Sequence, residues 1–146
     1  MLGIAPIAIA SATGILNSTL NAGDVVSVNV PFSEVVNVTG TPQLALTIDS
    51  TVVQASYVSG TGTNSLVFGY TILANQTDTN GISIAGTSAL TLNSGTNNDV
   101  AGNAATLTTV EVAVADNSDY LIDTTAPVIG NITLTPQGGT VHANTL

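Results

Sequence analysis

Cysteine, lysine, arginine and tryptophan are all absent from the 146 residues, and aromatic side chains make up 3% of them. Without cysteine no disulfide can brace the fold, and without lysine no Lys–Asn isopeptide crosslink can form, so any staple has to be a metal. The missing cations exclude more. Neutralising a nucleic-acid backbone takes lysine and arginine, and an anionic membrane repels a chain of formal charge −9. The one histidine, His142, lies in the tail. Lacking cysteine, lysine and arginine as well, the chain offers no nucleophile–base pair and no anion clamp, which argues against an enzyme. A glycosidase-like carboxylate pair is the one arrangement left, and nothing places two acids in an aromatic-lined cleft. Met1 to Ala10 has no basic flank and is broken by Pro6, so it reads as a first strand rather than a leader or a membrane span.

What is present is Val, Leu, Ile and Ala, within a 44% hydrophobic total, mixed with Thr, Ser, Asn and Gly. That mixture suits short strands and turns, and a domain of this length buries roughly 70% of its unfolded surface. Alternation with period two dominates, and no segment sustains helical periodicity. Val26, Val28, Val30 and Phe32 share one face; Leu44/Leu46/Ile48, Val53/Ala55/Tyr57 and Leu66/Phe68/Tyr70/Ile72 repeat the pattern. Weaker strands are predicted at Ile82 to Ile84, Ala89 to Leu92 and Val110/Val112/Val114, with turn clusters at Gly40-Thr41-Pro42, Ser59 to Gly62, Asp78 to Gly81 and Asn97-Asn98-Asp99. About seven to eight short strands so punctuated predict an all-β sandwich, with a closed barrel as the other architecture.

The chain also echoes itself. Ala126-Pro127-Val128 repeats Ala5-Pro6-Ile7 at an offset of 121, and Val141, Thr145 and Leu146 repeat Ile15, Thr19 and Leu20 at 126. This order suggests a tandem unit spanning 1–123, with 124–146 as linker and first strand of a following copy. Four motifs run through the unit: Asn21-Ala22-Gly23-Asp24-Val25-Val26, Phe32-Ser33-Glu34, Asp99-Val100-Ala101-Gly102-Asn103 and Asp123-Thr124-Thr125-Ala126-Pro127. Their order and spacing resemble the bacterial Ig-like repeats of giant cell-surface adhesins. The resemblance implies an immunoglobulin-like β-sandwich, exported to the cell surface, often with calcium at the junctions, serving as a spacer or adhesive stalk. Its partners would be neighbouring repeats of the same polypeptide and other surface proteins or glycans, with no direct membrane contact. One departure stands at the start, where Leu2 occupies the position matching Asp123.

Counting strands by parity sorts the acids into two groups. The loops holding Asp24, Asp49 and Asp78 fall at the pole where the chain leaves through Asp123; those holding Glu34 and Asp99 fall at the opposite pole. Calcium takes six to eight oxygens from carboxylates, amide side chains and carbonyls, so Glu34 and Asp99 with Asn97 or Asn103 form one candidate shell, and Asp24, Asp78 and Asp123 another. Neither matches an EF-hand or a Gly-rich nonapeptide calcium repeat. Ordinary turn chemistry explains the same residues, with Asp99 closing an Asx turn and Asp123 capping a strand. Glu111, out of phase with Val110 and Val112, reads as a solvated outer-face residue, and His142 as a surface residue. Two other functions compete: a carbohydrate-binding sandwich, for which Tyr120 is the only aromatic off a predicted core face, and a self-associating surface-layer or filament subunit. The sequons at Asn17, Asn37, Asn75 and Asn131 are what a Thr-rich chain produces by chance.

Overall fold

Val26, Val28, Val30 and Phe32 place β-branched and aromatic side chains along one face, and all four are buried. In the computed structural model, which describes residues 2–85, 89–107, 113–133 and 138, they belong to the long strand β3 (Val25–Thr39). Before it come β1 (Ala8–Thr13) and β2 (Thr19–Leu20). After it follow β4 (Gln43–Ile48), β5 (Thr51–Ser59), β6 (Thr63–Thr71), β7 (Thr77–Asp78), β8 (Leu90–Thr91), β9 (Thr96–Asn98) and β10 (Leu121–Asp123). Among the described residues there is no helix.

The larger sheet has seven strands, ordered β1-β3-β6-β5-β4-β8 with β9 paired onto β3, and every pairing in it is antiparallel. A second sheet is ordered β2-β10-β7, its β2–β10 pairing parallel. Single bridges, Thr47 to Ser83 and Ile84 to Val114, continue the pairing beyond the named strands. One core serves both sheets: Val28, Val30, Leu66 and Phe68 come from the larger, Leu20 and Ile122 from the smaller, and Ile82 and Ile84 from the segment between. Phe68 meets Tyr57 edge-on, ring centroids 6.0 Å apart, a geometry that aligns ring edge with ring face.

Three expectations are corrected. Glu34 is not in a loop but inside β3, where the register with β6 shifts between Pro31 and Val36. Pro31 has no N–H to offer the ladder, so pairing breaks there and resumes at Val36 after a bulge. Asn97 and Asn98 belong to β9 rather than a turn, because they pair with Val38 and Asn37 at the end of β3. The first strand begins at Ala8; ahead of it, Ile4 bridges Phe32 and Ala5 N–H donates to the Pro31 carbonyl at 2.9 Å. Val110, Glu111, Val112, Val141, His142, Thr145 and Leu146 lie outside the described residues.

Candidate metal centres at the two poles

Strand direction assigns the ends. Val25 pairs with Thr71, so the start of β3 and the end of β6 share one pole, while Thr39, paired with Thr96, reaches the other. The chain comes in beside the bulge: Gly3 N–H donates to Ser33 Oγ at 3.0 Å, and Thr106 N–H to the Leu2 carbonyl at 2.9 Å. It leaves through β10, where Asp123 pairs with Thr77 and Ile122 with both Asp78 and Leu20. The parity grouping of the acids follows the same two ends.

At the C-terminal pole the turn before β3 is closed by Asp24, whose Oδ2 accepts Asn21 N–H at 2.7 Å. Gly14, at φ 85°, passes so close that a Cβ there would collide with this carboxylate. Asp78 is 1% exposed. Its Oδ1 accepts Gly81 N–H at 2.7 Å and Asn80 N–H at 3.2 Å, while Oδ2 accepts Asp49 N–H at 2.8 Å. Burying a carboxylate is tolerable only when hydrogen bonds replace its hydration, and these amides do so while tying the β4–β5 turn to β7. Gly81, at φ 101°, lies against the Asn117 carbonyl, where a Cβ would collide. Asp123 Oδ1 caps Thr125 N–H at 2.9 Å, and Thr124 Oγ1 donates to the Gln76 carbonyl at 2.9 Å, holding the first residues after β10 to the body. Gln76 in turn accepts Leu73 N–H on Oε1 and donates from Nε2 to the hydroxyl of the partly buried Tyr70. Beside it opens a cavity of about 430 Å³ lined by Ile48, Asp49, Thr51, Asn75, Gln76 and Thr77.

At the N-terminal pole a narrow hairpin is closed by Ala105 N–H to the Asn97 carbonyl and Asp99 N–H to the Asn103 carbonyl. Asp99 Oδ1 accepts Ala101 N–H at 2.9 Å and Asn103 N–H at 2.8 Å, and Oδ2 accepts Asn103 Nδ2 at 2.8 Å. The Asn103 side-chain amide, then its backbone N–H, holds the Asp99 carboxyl below its ordinary value. Alternation puts Asn97 on the same face as Asp99 and Asn103, one rung inward. Asn97 is 1% exposed, and neither its Nδ2 nor its Oδ1 has a hydrogen-bond partner. An orphaned amide of this kind costs about 1–3 kcal/mol and calls for an explanation. Glu34 is exposed in the bulge of β3, three residues before Asn37, the strand partner of Asn98.

Strand pairing therefore brings Asp49, Asp78 and Asp123 onto neighbouring segments at one end, and Glu34, Asp99 and Asn103 onto neighbouring segments at the other. Among the described residues no three acidic or histidine side chains converge on one point. The donor set that fits a hard cation best is the N-terminal one, because it joins the orphaned amide of Asn97, two residues before Asp99, to a carboxylate that keeps lone pairs on Oδ2. Asp78 fits less well, being enclosed and already saturated on Oδ1. The Asp49 amide and Gln76 carry no sequence signal of these roles; both act through contacts about 30 and 48 residues away along the chain, which only a fold can reveal. Comparison with known proteins finds no matching family model, no matching curated sequence and no matching solved structure.

Proposed function

We propose that this chain is an immunoglobulin-like extender repeat of a bacterial surface adhesin, stiffened by calcium at its poles and linker. One observation carries the reading: the chain arrives at the bulge of β3, where Gly3 meets Ser33 beside Glu34, and departs through β10 beside Leu20 and Thr77, toward the other end of that strand. From Val25 to Glu34 that strand advances about 30 Å at roughly 3.3 Å per residue. Units joined this way stack end to end and gain length with every copy. The pairing order supports the immunoglobulin-like form, since β1-β3-β6-β5 follows the A-B-E-D order of such sandwiches and β4, Ser83 and Val114 follow C-F-G. The β4–β5 hairpin, fully paired, departs from it by joining the two layers.

Val128, 90% exposed, echoes Ile7 and would be buried in a following unit as Ile7, just ahead of β1, is in this one. Calcium at the N-terminal pole would be held by Asp99, Asn97 and Glu34 with Asn103 in support; at the C-terminal pole Asp24, Asp78 and Asp123 are the candidates. Bound there, the ion supplies neutralised carboxylates and a crosslink between loops that hydrogen bonds alone hold weakly. The aromatic residues do not favour the carbohydrate-binding alternative: Phe32 and Phe68 are buried, and Tyr57, Tyr70 and Tyr120 are partly buried against the core, leaving no flat exposed platform.

Thermal melts in calcium and in chelator at matched ionic strength test the metal. An extracellular-type affinity of about 0.1–1 mM makes roughly 10 mM calcium contribute about 1.4–2.7 kcal/mol per site. The melting midpoint should then rise by about 3–11 °C per occupied site. Identical melts would reduce these acids to turn residues.

A further inference from the structure

Both the entering and the departing segment are tied into the fold along their length. Residues 3–13 run beside the first part of β3 in the opposite sense, from the Ile4–Phe32 bridge to the Thr13–Val25 pair. Leu2, Ile4 and Ile7 are buried, and Ala5 N–H donates to the Pro31 carbonyl and Ser33 N–H to the Gly3 carbonyl, both at 2.9 Å. At the other end β10 is held on two sides. Leu121 and Ile122 pair in parallel with Thr19 and Leu20, while Ile122 and Asp123 pair antiparallel with Asp78 and Thr77. Leu121 N–H donates to the Ser18 carbonyl at 2.8 Å, and Ile122 is buried with Leu20 in the core.

We propose that the fold is a tension clamp: pulled through its two ends it resists by shear along both terminal segments, and β10 is the element that yields first. The directions decide it. The entering segment starts at the β3 bulge and runs toward the pole where β3 begins; β10 runs toward that same pole and leaves there. Tension therefore draws the first segment back along its own axis and β10 forward along its own. Ladder hydrogen bonds lie across the strands, so a lengthwise pull strains all the bonds of a strand together, whereas a sideways pull opens them one after another. The parallel β2–β10 pair obeys the same rule, because tension reaches β2 from its start and β10 from its end, sliding one past the other. Five residues of β1 pair with β3, and the bridge and bonds of residues 3–5 extend that tie; β10 has two pairs on each side, so the shorter tie gives way first. The inference rests on the stalk reading for the source of the tension alone; the clamp needs neither calcium nor a second unit.

Single-molecule force spectroscopy of the full chain in chelator tests the clamp apart from the calcium stalk. The sequence has no cysteine, so added thiols are unique attachment points. One pull joins thiols at the two termini; the other joins Ala22→Cys, on the exposed turn after β2, to the C-terminus and so draws β2 and β10 apart from the same end. Held at one constant force, the end-to-end pull should unfold the chain at least about tenfold more slowly than the Ala22 pull, because forced unfolding reports the barrier along the pulled direction. Equal or faster unfolding end to end overturns the proposal. A matched pair of near-isosteric variants tests which strand yields. Thr124→Val removes the hydroxyl bond to the Gln76 carbonyl beside β10, and Thr13→Val the one to the Val25 carbonyl at the end of β1. In the end-to-end pull Thr124→Val should speed unfolding about threefold to tenfold and Thr13→Val should leave it unchanged; the reverse order overturns β10 as the first to yield. A chain that behaves so in both tests, yet melts identically with and without calcium, keeps the clamp and loses calcium stiffening.

Discussion

Replacing Asp78 isolates what holds the C-terminal pole together. Its carboxylate accepts the N–H groups of Asp49, Asn80 and Gly81, and the residue is 1% exposed. Hydrogen bonds to a charged acceptor contribute about 1.5–3 kcal/mol each, and a buried donor left unpaired costs about 1–3 kcal/mol. The Gly81 amide stays enclosed in Asp78→Ala, whereas the other two regain some water, so the expected loss is about 3–5 kcal/mol. Asp78→Asn keeps one acceptor oxygen and turns an N–H toward a donor, for a loss of about 1.5–3 kcal/mol. Urea denaturation followed by far-ultraviolet circular dichroism measures both, and the larger loss corresponds to a midpoint drop of about 6–20 °C. Run in chelator, the experiment sees capping alone; any extra loss in calcium is ligation. An alanine variant within about 1 kcal/mol of wild type in chelator would refute the reasoning, because losing three bonds to a charged acceptor with the Gly81 amide left enclosed cannot be that cheap.

Gly81→Ala combines a backbone at φ 101° with a collision against the Asn117 carbonyl, and should cost at least about 2 kcal/mol by the same denaturation assay. Asp99, held below its ordinary 3.8 by the Asn103 hydrogen bonds, contributes stability that is complete above that value and is lost as pH falls through the lower folded one. Asp99→Asn should accordingly flatten the decline in stability below about pH 4; an unchanged acid limb would remove Asp99 from the explanation.

The strands with long alternating runs were legible from sequence because each buries a face of its own: Val26 to Phe32, Leu44 to Ile48 and Leu66 to Ile72 all point into the core as the period demands. β2, β7 and β10 were not, since each spans only two or three residues and exists by pairing with the others. The bulge that carries Glu34 had a visible cause in Pro31, but the continuation of the strand beyond it depends on Val36 finding Thr63. The two-pole grouping of the acids was legible because parity survives small errors in strand boundaries. Asp78 was readable as a turn residue from Asp78-Thr79-Asn80-Gly81. Its burial, and its bond to the Asp49 amide, depend on a turn elsewhere in the chain. Asn97 reads as a turn residue by composition, and only its place on β9 makes its unpaired amide informative.

The most direct measurement of the stalk mechanism is small-angle scattering on two complete units, made by joining residues 1–127 to residues 2–146 so that the linker through Pro127 is kept and the second unit retains its core residues Leu2 and Ile4. A linker with few contacts lets neighbouring domains swing, and a calcium ion at Asp123 would tie it to the body while Pro127 fixes its φ. In calcium the wild-type pair should show a longer maximum dimension than in chelator. Asp123→Ala should remain at the shorter value in both, with each unit still folded. Equal dimensions for wild type and variant under both conditions would contradict a calcium-set linker, and with it the proposed stalk, whatever the fold.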